Sequence, residues 1–355
     1  MSKSPKIKRY SGSSKRNKPG SALKKLKWVG FLGGFLLLLF IGYSVAAGIN
    51  SAFFKKPNPE VPEPPTTSEV STVESEAAES SAVVVVDVNR PLKTLTVSLK
   101  DALSADGKDA LLQKVKDSEY NSVLIELKNK DGYILYNSAI PEAIEWKSVK
   151  EEITVEALSA FVKELKAQDI SAVAEIYAFE DNTSQAPNNT ENTINFIMNG
   201  ARWYDSDPAV GGKRWLNPNK PAAQKYIIDI AKEISGMGFE RLLVKSAHYP
   251  NLKGMAAVVL DLDGKTQPQV LTEFAKNLAT EVPTAQLVFE ASALTVALNT
   301  PPYYANPAIL GYSAVIAEKN FDVFTIDKEK ITTIISNDDT LLKTAAENGF
   351  STIKR

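Results

Sequence analysis

Apolar side chains recur at helical spacing through Tyr226, Ile227, Ile230, Ala231 and Ile234, then run together as Leu242-Leu243-Val244. The first pattern gives one buried helix face, and the second is a short buried strand. Asn217, Pro218, Asn219 and Pro221 supply turn and helix-start chemistry, and Gly236 and Gly238 supply the stop. The stretch Arg214–Pro250 is therefore a complete helix–strand unit, with Lys245, Ser246, His248 and Tyr249 at the far end of its strand.

The same alternation extends in both directions. Strands are predicted over Leu95–Leu99, Ser122–Leu127, Ile170–Phe179, Gln286–Glu290, Phe321–Ile326, Ile331–Ile335 and Phe350–Ile353. Helices are predicted over Ala110–Val115, Val155–Leu165, Val270–Leu278 and Leu341–Ala346. Strands alternating with helices imply a parallel sheet with crossover connections. About eight strands in about 260 residues match the size of an α/β (β/α)8 barrel. The four residues Asp327–Lys330 are too few for a parallel crossover, so the barrel is expected to be distorted or incomplete at its C-terminal end. A doubly wound open sheet is the alternative, disfavoured because no glycine-rich loop follows the first strand.

Charge changes the picture at the N-terminus. The chain has 355 residues and a formal net charge of −1, but residues 1–27 hold ten Lys/Arg and no acid. Residues 28–54 hold no charge at all and include Phe35-Leu-Leu-Leu-Leu-Phe-Ile41. Such a run can span a hydrocarbon core of about 30 Å as a helix. The basic flank sets the N-terminus on the cytoplasmic side. A signal anchor in the lipid bilayer is thus expected over 28–54, with a cleavable signal ending near Ser44-Val45-Ala46 as the alternative. Residues 55–90 form a stalk whose core, 57–82, is Pro/Ser/Thr/Glu-rich with six Glu and no base. Residues 91–355 are the barrel domain, placed outside the cell membrane. The basic tail is read as a topology signal, with no nucleic-acid partner expected.

Candidate chemistry is limited by composition. There is no cysteine and one histidine, His248, which argues against thiol catalysis and a zinc site; no metal or cofactor is expected. Acids at strand ends are Glu126, Glu175, Glu180, Asp181, Glu290 and Asp327. Two carboxylates facing one bond are what glycosidic cleavage requires, and Glu290, with Glu126 or Glu175, is the candidate catalytic set. Lys128 is a possible partner for Glu126, which apolar neighbours flank. Trp203, Tyr204, Trp215, Tyr303 and Tyr304 offer aromatic faces of the kind that stack on sugar rings. Lys245, His248, Tyr249, Trp215 and Asp181 are the candidate substrate contacts.

Four segments carry a family resemblance. Leu124–Tyr133 (LIELKNKDGY), Ala174–Asp181 (AEIYAFED), Trp215–Pro218 (WLNP) and Gly238–Pro250 (GFERLLVKSAHYP) occur in that order. Together they resemble a bacterial family of glycoside-hydrolase-like TIM barrels, a domain of unknown function related to the α-amylase superfamily. The resemblance implies the barrel fold and a carbohydrate ancestry. It also sets Lys245 where the family has a fourth-strand aspartate, His248 where it has an arginine, Glu175 where it has a third-strand arginine, and Glu126 where it has a second-strand aspartate. Glu290 falls near the fifth-strand acidic position. A lysine cannot act as the carboxylate of an oxocarbenium-like reaction. Three functions follow as expectations: a glycan-binding pseudoenzyme at the bacterial cell envelope, a glycosidase with relocated carboxylates, or an envelope scaffold with no glycan role.

Overall fold

The computed structural model describes residues 90–150, 152–183, 191–250, 258–292, 312–317, 321–326, 328 and 331–355. The expected basic tail, the bilayer segment 28–54 and the stalk up to residue 89 lie outside the described residues. Among the described residues, no helix is long and apolar enough to cross a membrane.

In chain order the elements are β1 (Lys93–Val97), α1 (Leu99–Leu103), α2 (Ala105–Lys116), β2 (Ser122–Lys128), α3 (Pro141–Glu145), α4 (Val155–Ala167), β3 (Ser171–Tyr177), β4 (Asn195–Phe196), α5 (Pro221–Gly236), β5 (Arg241–Lys245), β6 (Val258–Val259), α6 (Gln267–Glu281), β7 (Gln286–Ser292), β8 (Tyr312–Ile316), β9 (Thr333–Ser336), α7 (Asp339–Glu347) and β10 (Ser351–Lys354). Eight of the strands pair in parallel in the order β1-β2-β3-β5-β7-β8-β9-β10, and β10 pairs back onto β1. The sheet is a closed (β/α)8-type barrel with no free edge. The short strands β4 and β6 form a separate antiparallel pair.

Two expectations at the C-terminal end are corrected. The barrel is complete. Phe321–Ile326 is not a strand: Asp322 accepts a hydrogen bond from the Phe324 amide (2.9 Å), and Val323–Thr325 winds into a 3-10 turn. The sixth barrel strand is instead Tyr312–Ile316, so the short gap that argued for distortion does not separate two strands.

The helices form for reasons present in their sequences. Thr154 caps α4 by accepting from the Ala157 amide, and Leu158, Phe161, Val162 and Leu165 bury one face. Thr266 and Gln269 close a capping box on α6. In α5, Pro221 occupies the first turn, and Gly238 (φ 99°) takes the left-handed conformation that turns the chain into β5. Inside the barrel, period-two alternation points one residue per strand at the axis. Leu124, Val173, Leu243, Val288, Ala314, Ile335 and Ile353, joined by Leu92 immediately before β1, form a single apolar plug.

The loop after β2 is pinned to the loop after β3. The Asn129 side chain accepts from the amides of Asp131 and Tyr133, and Gly132 follows with φ 91°. A Cβ on Gly132 would collide with the carboxylate of Asp181. Gly132→Ala is expected to destabilise the domain by about 1–3 kcal/mol through backbone strain and overpacking. Urea denaturation measures this, and an unchanged midpoint would contradict it.

Candidate functional site

One alternation step beyond the apolar plug, the inward positions become charged. Two residues on from Leu124, Val173, Leu243, Val288 and Ile353 stand Glu126, Glu175, Lys245, Glu290 and Arg355. They lie toward the carboxyl ends of the strands, where barrels of this architecture place their chemistry. Four of the five come from residues named in the sequence reading. Arg355 was not anticipated; its spacing from Ile353 is the signal that would have found it.

Lys245 stands between two acids. Its Nζ is 3.6 Å from Glu175 and 3.5 Å from Glu290. Arg355 holds the same two carboxylates, at 2.6 Å from Glu175, and donates to Glu290 at 3.1 Å. The ring of Tyr177, the register partner of Lys245, lies 4.5 Å from the ammonium. Glu175, Lys245 and Glu290 are buried, with 2%, 9% and 8% of their surface exposed. Charges this deep persist only when paired, and here each is paired twice.

Ionisation follows from that packing. Burial works against the Lys245 ammonium, but Glu290 and Glu175 outweigh it and raise its pKa above the ordinary lysine value. Lys245 therefore stays protonated at neutral pH and is a poor candidate for Schiff-base chemistry, which needs a free amine. Burial lifts Glu290 above the usual carboxylate range, and Lys245 and Arg355 pull it partly back. Glu126 is lifted first by burial and then by the neighbouring charge of Glu175. Lys245 and Arg355 also line a cleft of ≈ 500 Å³ with Ile316, Ala317, Ser336 and Asn337.

Immediately after Lys245, Ser246 adopts φ 50°, a left-handed conformation unusual for a side chain other than glycine, asparagine or aspartate. Its hydroxyl donates to Glu180 at 3.0 Å. Burial raises the Glu180 pKa, partly offset by that hydrogen bond. Strain of this kind is held where the surrounding packing over-determines it.

The other candidates are placed differently. Asp181 is fully buried in an ion pair with Lys128 at 2.9 Å and accepts from Thr183 at 2.8 Å. Lys128 also donates to the Tyr177 carbonyl at 2.8 Å, so it serves Asp181 and not Glu126. Trp215 is buried, donates through Nε1 to Asp205 at 3.1 Å, and packs its ring 5.5 Å from that of His248. His248 donates through Nδ1 to the Tyr249 carbonyl at 2.8 Å. Burial lowers its pKa to about 4, which leaves the imidazole neutral at physiological pH. Tyr249 is fully buried. Asp181, Trp215 and Tyr249 thus sit beneath the surface, while Glu126, Glu175, Lys245 and Glu290 converge. Tyr303, Tyr304 and Asp327 lie outside the described residues. Among the described residues, no three His, Asp or Glu side chains are grouped to hold a metal ion.

Comparison with known proteins follows the same line. Residues 94–302 match the family described as "Putative glycosyl hydrolase domain". Among solved structures, a hypothetical protein from Ruminiclostridium thermocellum is similar at 22% identity and a TM-score of 0.48, over 55% of this chain and 96% of that one. A Paenibacillus cycloisomaltooligosaccharide glucanotransferase is similar at 15% identity and a TM-score of 0.45, over 70% of this chain and 38% of that one. An α-galactosidase from Thermus thermophilus is similar at 11% identity and a TM-score of 0.43, over 75% of this chain and 58% of that one. The chain therefore spans less than two thirds of the length of either enzyme. A search of curated proteins gives no match.

Proposed function

This chain belongs to the glycosyl hydrolase domain family that its residues 94–302 match, and on that premise we propose that its barrel binds glycans without cleaving them. The observation that carries this reading is the ammonium of Lys245 held between Glu175 and Glu290. Two carboxylates in contact with one ammonium at 3.5 and 3.6 Å stand no more than about 7 Å apart, close enough to face one bond. The space between them, however, is occupied by two cations. Glycosidic cleavage builds positive charge on the sugar, and a fixed ammonium at that point opposes it. The sequence resemblance that sets Lys245 at the family's fourth-strand aspartate position agrees with this reading, since it implies a nucleophile exchanged for its electrostatic opposite. The ionised groups remain suited to hydrogen-bonding sugar hydroxyls.

The chain's N-terminal pattern supports a setting for this activity. The basic residues 1–27, the uncharged 28–54 and the acidic stalk 55–90 fit a single-pass anchor presenting the barrel to cell-envelope or environmental glycans.

One observation favours a second reading, an active glycosidase with relocated carboxylates. Burial and the neighbouring Glu175 raise the Glu126 pKa, and two nearby carboxyls with different environments are what the division of acid and base roles in such enzymes needs. The two readings separate in one experiment. The full-length chain is tested for binding to cell-wall polysaccharides and glycan arrays, with reducing-end release measured on the same material. Binding without release, unaltered in Glu290→Gln, is the expected result. Release abolished by Glu290→Gln or Glu126→Gln would establish the second reading. Neither binding nor release would leave a scaffold with no glycan role.

A further inference from the structure

The five charges at the barrel mouth do not balance. Glu175 and Glu290 each contact both Lys245 and Arg355, so these four groups form a neutral quartet. Glu126 is the fifth. It is half-buried on β2, the register partner of Glu175 on β3, and makes no hydrogen bond or ion pair among the described residues. Lys245, Arg355 and the exposed Lys130 act on it only from a distance, and Glu175 repels it. A partly desolvated carboxylate beside a like charge is stabilised most by a cation placed in direct contact.

Building on the glycan-binding reading above, we propose that this site selects glycans bearing free amino groups, with the ammonium of a de-N-acetylated amino sugar held by Glu126. An acetamido group is uncharged and cannot provide that contact. A uronic acid or phosphate substituent would bring a further anion against Glu126, and one reaching Lys245 or Arg355 in the cleft would have to compete with Glu175 and Glu290 for them. The quartet then contacts the hydroxyls of the same sugar, and Glu126 reads its amine.

The test is titration calorimetry on the full-length chain at neutral pH, where Glu126 keeps its charge more readily than in acid and a sugar amine can still take up a proton on binding. The probes are a β-1,4-linked glucosamine hexasaccharide and its fully N-acetylated counterpart. The amino form is expected to bind about tenfold tighter or better, as one charge-assisted contact provides. In Glu126→Gln that difference is expected to collapse. This variant removes a repulsion with Glu175 and so retains the fold, which a thermal melt verifies. Equal affinities in the wild type, or a preference that survives Glu126→Gln, would overturn the amine assignment while leaving glycan binding standing. No binding of either probe, nor of any glycan on the array, would overturn both.

Discussion

Asp181→Asn is expected to lower the unfolding free energy by about 3–5 kcal/mol, the penalty for leaving one member of a buried ion pair alone. Lys128 and Asp181 are both fully inaccessible and 2.9 Å apart. Removing the carboxylate charge leaves an ammonium in the protein interior that donates to the Tyr177 carbonyl but has lost its counter-charge. Replacing the pair together, Lys128→Met with Asp181→Leu, should recover most of the loss, because the cost lies in the unpaired charge and not in the absence of attraction. Urea denaturation of the single and double variants decides the matter. A double variant no more stable than Asp181→Asn would show that the pair does something packing cannot replace.

Lys245→Met is expected to destabilise by about 3 kcal/mol at neutral pH, the lower end of the range for a broken buried pair, because Arg355 still holds both carboxylates. The loss carries a pH signature. Burial has already raised Glu290 above the usual carboxylate range, and Lys245 is the first charge pulling it back. Without the lysine, the folded-state pKa of Glu290 rises further above its unfolded value. A carboxylate raised in this way favours the fold fully below its unfolded pKa and loses that contribution as pH rises through the folded pKa. The deficit of the variant should therefore be greatest at neutral pH and shrink on acidification toward the carboxylate range. A deficit that grew as pH fell, in unfolding measurements at stepped pH, would contradict the pairing described here.

Much of this molecule can be read from its residues. The apolar runs of β2, β3, β5 and β7 mark strands, and the helix faces are plain from spacing. The failure at Phe321–Ile326 is instructive. The segment looks more β-prone than the true strand Tyr312–Ile316, yet Asp322 captures a backbone amide and turns it, while β8 owes its form to its neighbours β7 and β9. At the site, Glu126, Glu175, Lys245 and Glu290 are visible as strand-end residues, and a period of two carries them to one axis. Arg355 needed the same counting from Ile353 and was missed because no local motif marks it. Asp181, Trp215 and Tyr249 have suitable chemistry, but their burial is decided by how loops pack over the barrel, which side-chain type alone does not reveal.

Arg355 directly follows β10, the strand that pairs with both β1 and β9 to close the ring. Its guanidinium reaches β3 and β7 across the mouth. The charged quartet therefore exists only while the seam is shut, and occupancy and closure are thermodynamically linked. A ligand specific for the closed ring, present at a hundred times its Kd, adds about 2.7 kcal/mol to the stability of the whole barrel. Whatever binds at the mouth acts as a fastener for strands that it never touches.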